Sequence, residues 1–180
     1  YNSLKRGIQP TSQRKSIPRM KGEVAMRIAI GSDHRGLEMR RKIAAILAES
    51  DIQVIDLGGA EDGCVDYPDI AAAVARLVSK GKADRGILIC GTGLGMCIVA
   101  NKFPGVRAAP CHDELMAEIS RRHNDLNVLC LSGDLLGDRT LRPLVQTWIK
   151  TEFEAGRHAL RIEKITRLET QKPVRHPADV

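Results

Sequence analysis

Aromatic residues are scarce in this chain of 180 residues, making up 3% of the sequence. Few rings mean few stacking platforms for single-stranded nucleic acid, so we expect no nucleic-acid partner. No apolar run is long enough to cross a bilayer, so we expect no membrane partner. The five cysteines show no Cys-x-x-Cys spacing, which argues against a disulfide framework or structural zinc and favours reduced thiols in the cytoplasm.

Most of the formal net charge of +6 lies at the amino terminus. Residues 1–25 contain six Lys or Arg and one Glu, so the rest of the chain is nearly neutral. This segment lacks apolar periodicity, which predicts a disordered basic arm or a remnant that is not part of the natural protein. A transit peptide is an alternative. Residues 170–180 hold two prolines and predict a loose tail. The expected domain is therefore 26–169, a length that suits one hydrophobic core.

Short β-rich runs alternate with helical stretches along this domain. We expect strands near 27–31, 52–57, 86–90, 106–110 and 127–132, and helices near 36–49, 68–80, 94–102, 113–122 and 137–154. The alternation predicts a Rossmann-like three-layer α/β/α sandwich with a five-stranded parallel sheet. In such folds ligands bind beyond the carboxyl ends of the strands.

The third expected strand ends at Cys90 and is followed by the glycine-rich turn Gly91-Thr92-Gly93-Leu94-Gly95. Backbone N–H groups that converge at a helix N-terminus favour an anion, and a cysteine there is favoured as a thiolate base or nucleophile. The alternative interpretation is a small core residue at a strand end.

The same turn also resembles the start of a dinucleotide-binding fingerprint. Asp113 lies about twenty residues further on, where an acid that binds ribose would be expected. Met96 occupies the position of the third glycine, which argues against a nicotinamide cofactor.

Other strand ends carry polar residues that have both structural and functional interpretations. Asp33 and His34 follow the first strand, and Ser32 or Asp33 could cap the first helix. Asp66 could cap the second helix with Pro68 in its first turn, and Asp113 could cap the fourth.

Two further groups of basic residues follow the fourth and fifth helices. The fourth helix ends at Arg122-His123-Asn124. Positive charges there complement the helix dipole, and Asn is typical of a left-handed residue at a helix end. His123 also suits a proton shuttle. Arg157 and Arg161 are four residues apart on one helix face, which suits either a phosphate or a solvated basic surface.

Seven motifs then occur in order along the chain: Gly31-Ser32-Asp33-His34, Asp66-Tyr67-Pro68, Cys90-Gly91-Thr92-Gly93-Leu94-Gly95, Ala100-Asn101-Lys102, Arg122-His123-Asn124-Asp125, Asn127-Val128-Leu129 and Gly156-Arg157-His158. Together they resemble the type B ribose-5-phosphate isomerases and their relatives, the galactose-6-phosphate isomerase subunits. The resemblance runs from about Met26 to about Glu169.

The resemblance implies a metal-independent aldose–ketose isomerase that needs no cofactor and acts on a sugar phosphate as a homodimer or dimer of dimers. It makes Cys90 the base and His123 the acid/base group that opens the sugar ring. It also makes the Thr92 hydroxyl a catalytic donor to the enediolate oxygen. It further implies the following substrate contacts: Asp33, His34, Tyr67, Gly91, Gly93, Leu94, Gly95 and Asn124, with Arg157 and Arg161 binding phosphate in the neighbouring subunit's site.

Two positions depart from the family. Family members usually carry an arginine after the fifth strand, where this chain has Asp134, and Arg35 stands where a small residue is more usual. We expect Asp134 to pair with Arg35 or with one of the arginines at 157 and 161, or else to face a sugar hydroxyl. Ribose 5-phosphate would then bind less tightly than in an arginine-bearing relative, and another sugar phosphate of four to six carbons is the main alternative substrate. A hydrolase with Cys90 as nucleophile and His123 as its base is a further alternative.

Overall fold

The computed structural model describes residues 25–59 and 65–170, so the predictions for residues 1–24 and 171–180 lie outside the described residues. The strands are β1 (Met26–Ser32), β2 (Ile52–Asp56), β3 (Arg85–Cys90), β4 (Ala108–Pro110) and β5 (Val128–Ser132). The helices are α1 (Leu37–Ala48), α2 (Tyr67–Ser79), α3 (Leu94–Ala100), α4 (Glu114–Asn124), α5 (Asp138–Lys150) and α6 (Arg157–Thr170).

The five strands form one sheet in the order β2-β1-β3-β5-β4. Every neighbouring pair is parallel, so all carboxyl ends lie along one edge of the sheet. In the central pair, Gly86 of β3 faces Val128 of β5, and Cys90 faces Ser132. The prediction of a five-stranded parallel α/β sheet is confirmed.

Helices cover both faces of the sheet. Alternate residues of β3 point to opposite faces, so Ile87 and Ile89 join one apolar core while Leu88 and Cys90 join the other. The first core is completed by residues of α1, α4 and α5, and the second by residues of α2 and α3. The molecule is therefore the expected three-layer sandwich, and Cys90 lies on the face covered by α2 and α3.

Strand β4 lies at an edge of the sheet, where backbone groups have no further strand to pair with. The side chain of Asn101 takes the place of a strand there. Its Nδ2 donates to the carbonyl of Ala108 at 2.8 Å, and its Oδ1 accepts from Ala108 N at 2.9 Å. This edge is thus partly satisfied within the chain.

Helix α5 is shorter than expected, ending at Lys150 rather than near residue 154. Thr151 is extended, and its hydroxyl donates back to the carbonyl of Thr147 at 2.7 Å. The segment that follows turns at Ala155 and Gly156, which have φ of 55° and 54°, and leads into α6. In the described part of the chain, every helix is too short or too polar to span a membrane.

We expect Leu129→Ala to lower the free energy of unfolding by about 2–5 kcal/mol, because Leu129 is completely buried in the centre of β5 and its loss leaves a cavity. Leu135→Ala is the matched control, since that leucine is 73% exposed. Urea denaturation at one fixed protein concentration measures both. Equal effects of the two substitutions would contradict this placement of the core.

Candidate active site

Cys90 is the last residue of β3 and is 5% exposed. Its Sγ accepts a hydrogen bond from the backbone N–H of Gly93 at 3.1 Å. Gly93 then turns the chain into α3 with φ of 78°, and an added Cβ would lie 3.1 Å from the carbonyl oxygen of Leu131, so a glycine is needed there. The turn therefore points a backbone donor at the sulfur.

The turn after Cys90 is braced by the residues that follow β5. The carbonyl oxygen of Gly91 accepts from Ser132 Oγ at 2.6 Å and from the N–H of Asp134 at 3.2 Å. The N–H of Gly133 donates to the carbonyl of Cys90 at 2.8 Å. These bonds fix the backbone around the thiol from the neighbouring strand end.

Thr92 and Leu94 form the outer side of this turn. Both side chains are exposed, with Leu94 at 54%. The hydroxyl oxygen of Thr92 accepts from the N–H of Leu94 at 3.3 Å. The outer side of the turn is therefore open to a ligand.

Asp33 reaches the same place from β1. Its N–H donates to the carbonyl of Ile89 at 3.1 Å, and its Oδ1 accepts from the N–H groups of Arg35 and Gly36 at 2.9 and 3.2 Å. The capping interpretation of Ser32 or Asp33 is wrong, because α1 begins after Gly36 and has no side-chain cap. Asp33 instead holds the turn between β1 and α1, with the exposed His34 inside it.

Tyr67 begins α2 and packs against the turn from the other side. A Cβ added to Gly95 would lie 2.6 Å from Cε2 of the Tyr67 ring. Asp66 is the N-cap residue of α2 without a side-chain hydrogen bond, and Pro68 lies in the first turn as expected. The structure thus brings Asp33, His34, Tyr67, Cys90 and the turn 91–95 together, a group we call the thiol cluster.

The remaining predicted site residues lie elsewhere. His123 and Asn124 end α4, and the carbonyl of Asn124 accepts from Nε of Arg107, which precedes β4, at 3.1 Å. Arg157 and Arg161 are exposed on the first turns of α6, next to His158. With Glu154, these residues form what we call the histidine cluster, at the amino ends of the strands.

The two clusters are on opposite edges of the sheet. Residues 86 to 90 of β3 run from the amino edge to the carboxyl edge, a rise of about 13 Å for four residues. Helix α4 runs back over a similar length, because its eleven residues rise about 1.5 Å each. Within one chain, His123 is therefore far from Cys90.

The histidine cluster contains two stacked imidazoles. The rings of His123 and His158 have centroids 4.2 Å apart and planes inclined by 5°. Their Nε2 atoms lie 3.7 and 3.9 Å from Oε2 of Glu154, whose Oε1 accepts from Nε of Arg122 at 2.7 Å. Burial, and then the positive charges around it, lower the pKa of His158.

His123, Glu154 and His158 are close enough to be considered as metal ligands. Each imidazole lone pair lies in its own ring plane, however, and these two stacked, nearly parallel planes do not meet at one ion as a tetrahedral zinc site requires. The arrangement fits a hydrogen-bonding and proton-transfer group better than a metal site.

Sequence reasoning assigned no role to Glu154 or His158. The spacing of four residues between them was the available signal, but they lie in a turn before α6 and in its first turn, so no single helix relates them. Their proximity to His123 depends on the path of the chain after α5, which the sequence pattern did not reveal.

Two alternative interpretations lose support from the geometry. A hydrolase with Cys90 and His123 as nucleophile and base needs the two side chains in contact, which one chain does not provide. For the dinucleotide alternative, Asp113 is occupied as the cap of α4, accepting from the N–H of Met116 at 2.7 Å. At the other end of α4, the left-handed residue is Asp125, with φ of 45°, rather than the expected Asn124.

Asp134 pairs with Arg35, one of the arrangements expected for it. Nη2 and Nε of Arg35 donate to Oδ2 of Asp134 at 2.7 and 2.9 Å. Among the described residues, the arginines of α6 make no such contact with it.

Comparisons with known proteins agree on one family. The model of the ribose/galactose isomerase family matches residues 28–165. The chain is 42% identical to ribose-5-phosphate isomerase B of Escherichia coli, covering 81% of this chain and 98% of the relative. It is 39% identical to D-erythrulose-4-phosphate isomerase of Pectobacterium atrosepticum, covering 81% and 96%. A crystal structure of ribose-5-phosphate isomerase B from Mycoplasma genitalium with bound ribulose-5-phosphate matches with TM-score 0.79 and 43% identity, covering 83% and 100%.

The other described cysteines differ from one another in acidity. A hydrogen bond with the thiol of Cys130 lowers the pKa of Cys97 to about 7. Burial raises the pKa of Cys111 to about 11. The same hydrogen bond and burial raise the pKa of Cys130.

We expect iodoacetamide at pH 7.5 to alkylate Cys97 and to leave Cys111 unmodified in the native protein, because the thiolate is the reactive form. Labelling of Cys97 should slow as the pH falls below about 7, where its thiolate is protonated. Peptide mass spectrometry measures both sites, and urea-unfolded protein is the control in which both react. Equal labelling of the two thiols in the native state would contradict these environments.

Proposed function

The chain belongs to the ribose/galactose isomerase family, and from this we propose that it interconverts ribose 5-phosphate and ribulose 5-phosphate with Cys90 as the base. The observation that supports this most is the sulfur of Cys90 at the end of β3 under the N–H of Gly93. The sulfur can accept and return a proton, and the turn that follows it can stabilise a negatively charged oxygen. Both are needed for a proton transfer between adjacent carbons.

The proposed step begins with the open-chain aldose. The Cys90 thiolate removes the proton from C2, and the electron pair forms the C1–C2 double bond of an enediolate. The same thiol then returns the proton to C1, while the hydroxyl proton of O2 moves to O1. The hydrogen bond from Gly93 N–H to the sulfur fixes the position of the sulfur for this transfer.

The enediolate carries negative charge on oxygen and needs hydrogen-bond donors. The donors we assign are backbone N–H groups of the turn 91–95 and the hydroxyl of the exposed Thr92, to which the N–H of Leu94 donates in the ligand-free chain. Bonds from the β5 end hold this backbone in place, so the donors need no reorganisation as charge develops. Each preorganised donor contributes a rate factor of about 10²–10³.

Ring opening and phosphate binding are assigned to the histidine cluster. His123 would transfer the proton that opens the furanose, Asn124 would hold a sugar oxygen, and Arg157 and Arg161 would bind the phosphate. These residues cannot meet Cys90 of their own chain across the sheet. We therefore propose that each site combines the thiol cluster of one subunit with the histidine cluster of another, in a homodimer or dimer of dimers.

Exposed apolar side chains support a contact between subunits. They lie on α3, α4 and α6. The side chains are Leu94, Ile98, Leu115, Met116, Ile119, Leu160, Ile165 and Leu168. A second copy of the chain that buries them would also bring the missing half of each site.

A second substrate is supported by one observation. A relative of this chain is named D-erythrulose-4-phosphate isomerase and is as extensively matched as the ribose-5-phosphate isomerases. The same proton transfer serves both sugars. A panel of aldose and ketose phosphates of four to six carbons, assayed in both directions, identifies the preferred one, and lack of turnover with every member would overturn the proposal.

Cys90→Ala should lower kcat for ribose 5-phosphate by at least about 10²-fold, because it removes the general base and little volume. Cys97→Ala, a change of the same kind in the neighbouring helix, is the matched control and should keep most of the activity. Incorporation of solvent deuterium at the transferred carbon position should be lost together with turnover. A Cys90→Ala enzyme that still exchanges deuterium at the control's rate would contradict the assignment of the base.

A further inference from the structure

The ion pair of Arg35 and Asp134 lies at the rim of the thiol cluster. A Cβ added to Gly91 would lie 2.9 Å from both Arg35 Nε and Asp134 Oδ2, so the pair covers this glycine. Gly91 directly follows Cys90. The ion pair therefore lies one residue along the backbone from the proposed base.

The backbone of both residues is anchored on the site. The N–H of Arg35 donates to Asp33 Oδ1 at 2.9 Å, and a Cβ added to Gly133 would lie 2.6 Å from the carbonyl oxygen of Arg35. The N–H of Asp134 donates to the carbonyl of Gly91 at 3.2 Å. The pair thus joins three turns, those after β1, β3 and β5.

A contribution to folding stability does not explain why this ion pair is present. The side chains of Arg35 and Asp134 are 55% and 34% exposed. An ion pair exposed to this degree contributes little to folding stability. Its position beside the thiol therefore points to a role in the site.

The hydrogen bonds of the pair leave specific groups for a ligand. Both bonds from Arg35 end on Oδ2 of Asp134. Among the described residues, no hydrogen bond reaches Oδ1 of Asp134 or Nη1 of Arg35. A carboxylate acceptor and a guanidinium donor then stand side by side.

This combination selects the kind of group that can bind. A sugar hydroxyl both donates and accepts, so it can bond to Asp134 and Arg35 together. A phosphate dianion has no proton to donate to the Asp134 carboxylate and would be repelled by its negative charge. The pair suits a hydroxyl and disfavours a phosphate.

We propose that Arg35 and Asp134 form a hydroxyl-binding subsite that determines which sugar chain is accepted. The phosphate is then held at the other end of the ligand, by Arg157 and Arg161 of the partner subunit. This inference rests on the proposed isomerase function and adds the residues that determine which sugar binds.

Asp134→Asn tests the subsite, because it keeps the side-chain size and removes the charge. We expect kcat/KM for ribose 5-phosphate to fall about tenfold through loss of one charge-assisted hydrogen bond. The inhibition constant of inorganic phosphate, used as a competitor, should change by less than about threefold, since phosphate binds elsewhere. Arg35→Gln should lower kcat/KM less in the Asp134→Asn background than in the wild-type enzyme, because the two residues act as a unit.

Glu49→Gln is the matched control. Glu49 accepts two hydrogen bonds from Arg142, at 2.7 and 3.0 Å, in an ion pair at the far end of α1. Its loss should leave kcat/KM and phosphate inhibition unchanged, and urea denaturation checks that all variants fold.

Two results with an active wild-type enzyme would overturn the subsite alone. If Asp134→Asn raises kcat/KM and tightens phosphate inhibition at least about tenfold, a phosphate binds at the pair. If neither Asp134→Asn nor Arg35→Gln changes either quantity, the pair does not touch the ligand. A wild-type enzyme inactive on the whole panel would instead overturn the proposed function, and the subsite with it.

Discussion

The direction of the parallel sheet constrains every step of the proposed chemistry. All five strands end at one edge of the sheet, and the helices α1 to α5 that follow them carry the chain back to the other edge. Cys90 ends a strand and His123 ends a helix, so the two are separated by the depth of the sheet. Any chemistry that needs both groups on one ligand must therefore involve two chains.

The same direction explains why the thiol cluster is well ordered within one chain. Three strand ends, those of β1, β3 and β5, meet around Cys90 and exchange backbone hydrogen bonds. Gly93 is central here, because its N–H donates to the sulfur and its left-handed φ turns the chain into α3. The histidine cluster has a different origin, since the segment from Thr151 to Gly156 leads Glu154 and His158 to the end of α4.

Local sequence patterns predicted the fold well, because strand and helix periodicity and the cap at Asp113 depend on neighbouring residues. They predicted the end of α5 poorly, since Lys150, Thr151 and Glu152 include neither the Gly nor the Pro that usually marks a helix end. The pairing of Arg35 with Asp134 joins residues 99 positions apart. The sequence pointed to it only because a carboxylate at position 134 would repel a bound phosphate. The separation of Cys90 from His123 also depends on the topology of the sheet. Single sequence motifs carry no information about that topology.

The shared site is tested most directly by heterodimers made by coexpression of two differently tagged chains. When one chain carries Cys90→Ala and the other His123→Asn, one of the two sites is intact, so we predict about half of the wild-type activity per dimer. A wild-type chain paired with one that carries both substitutions has no intact site, so we predict almost no activity. The reverse result, with the first heterodimer inactive and the second retaining half of the activity, would contradict a site built from two subunits.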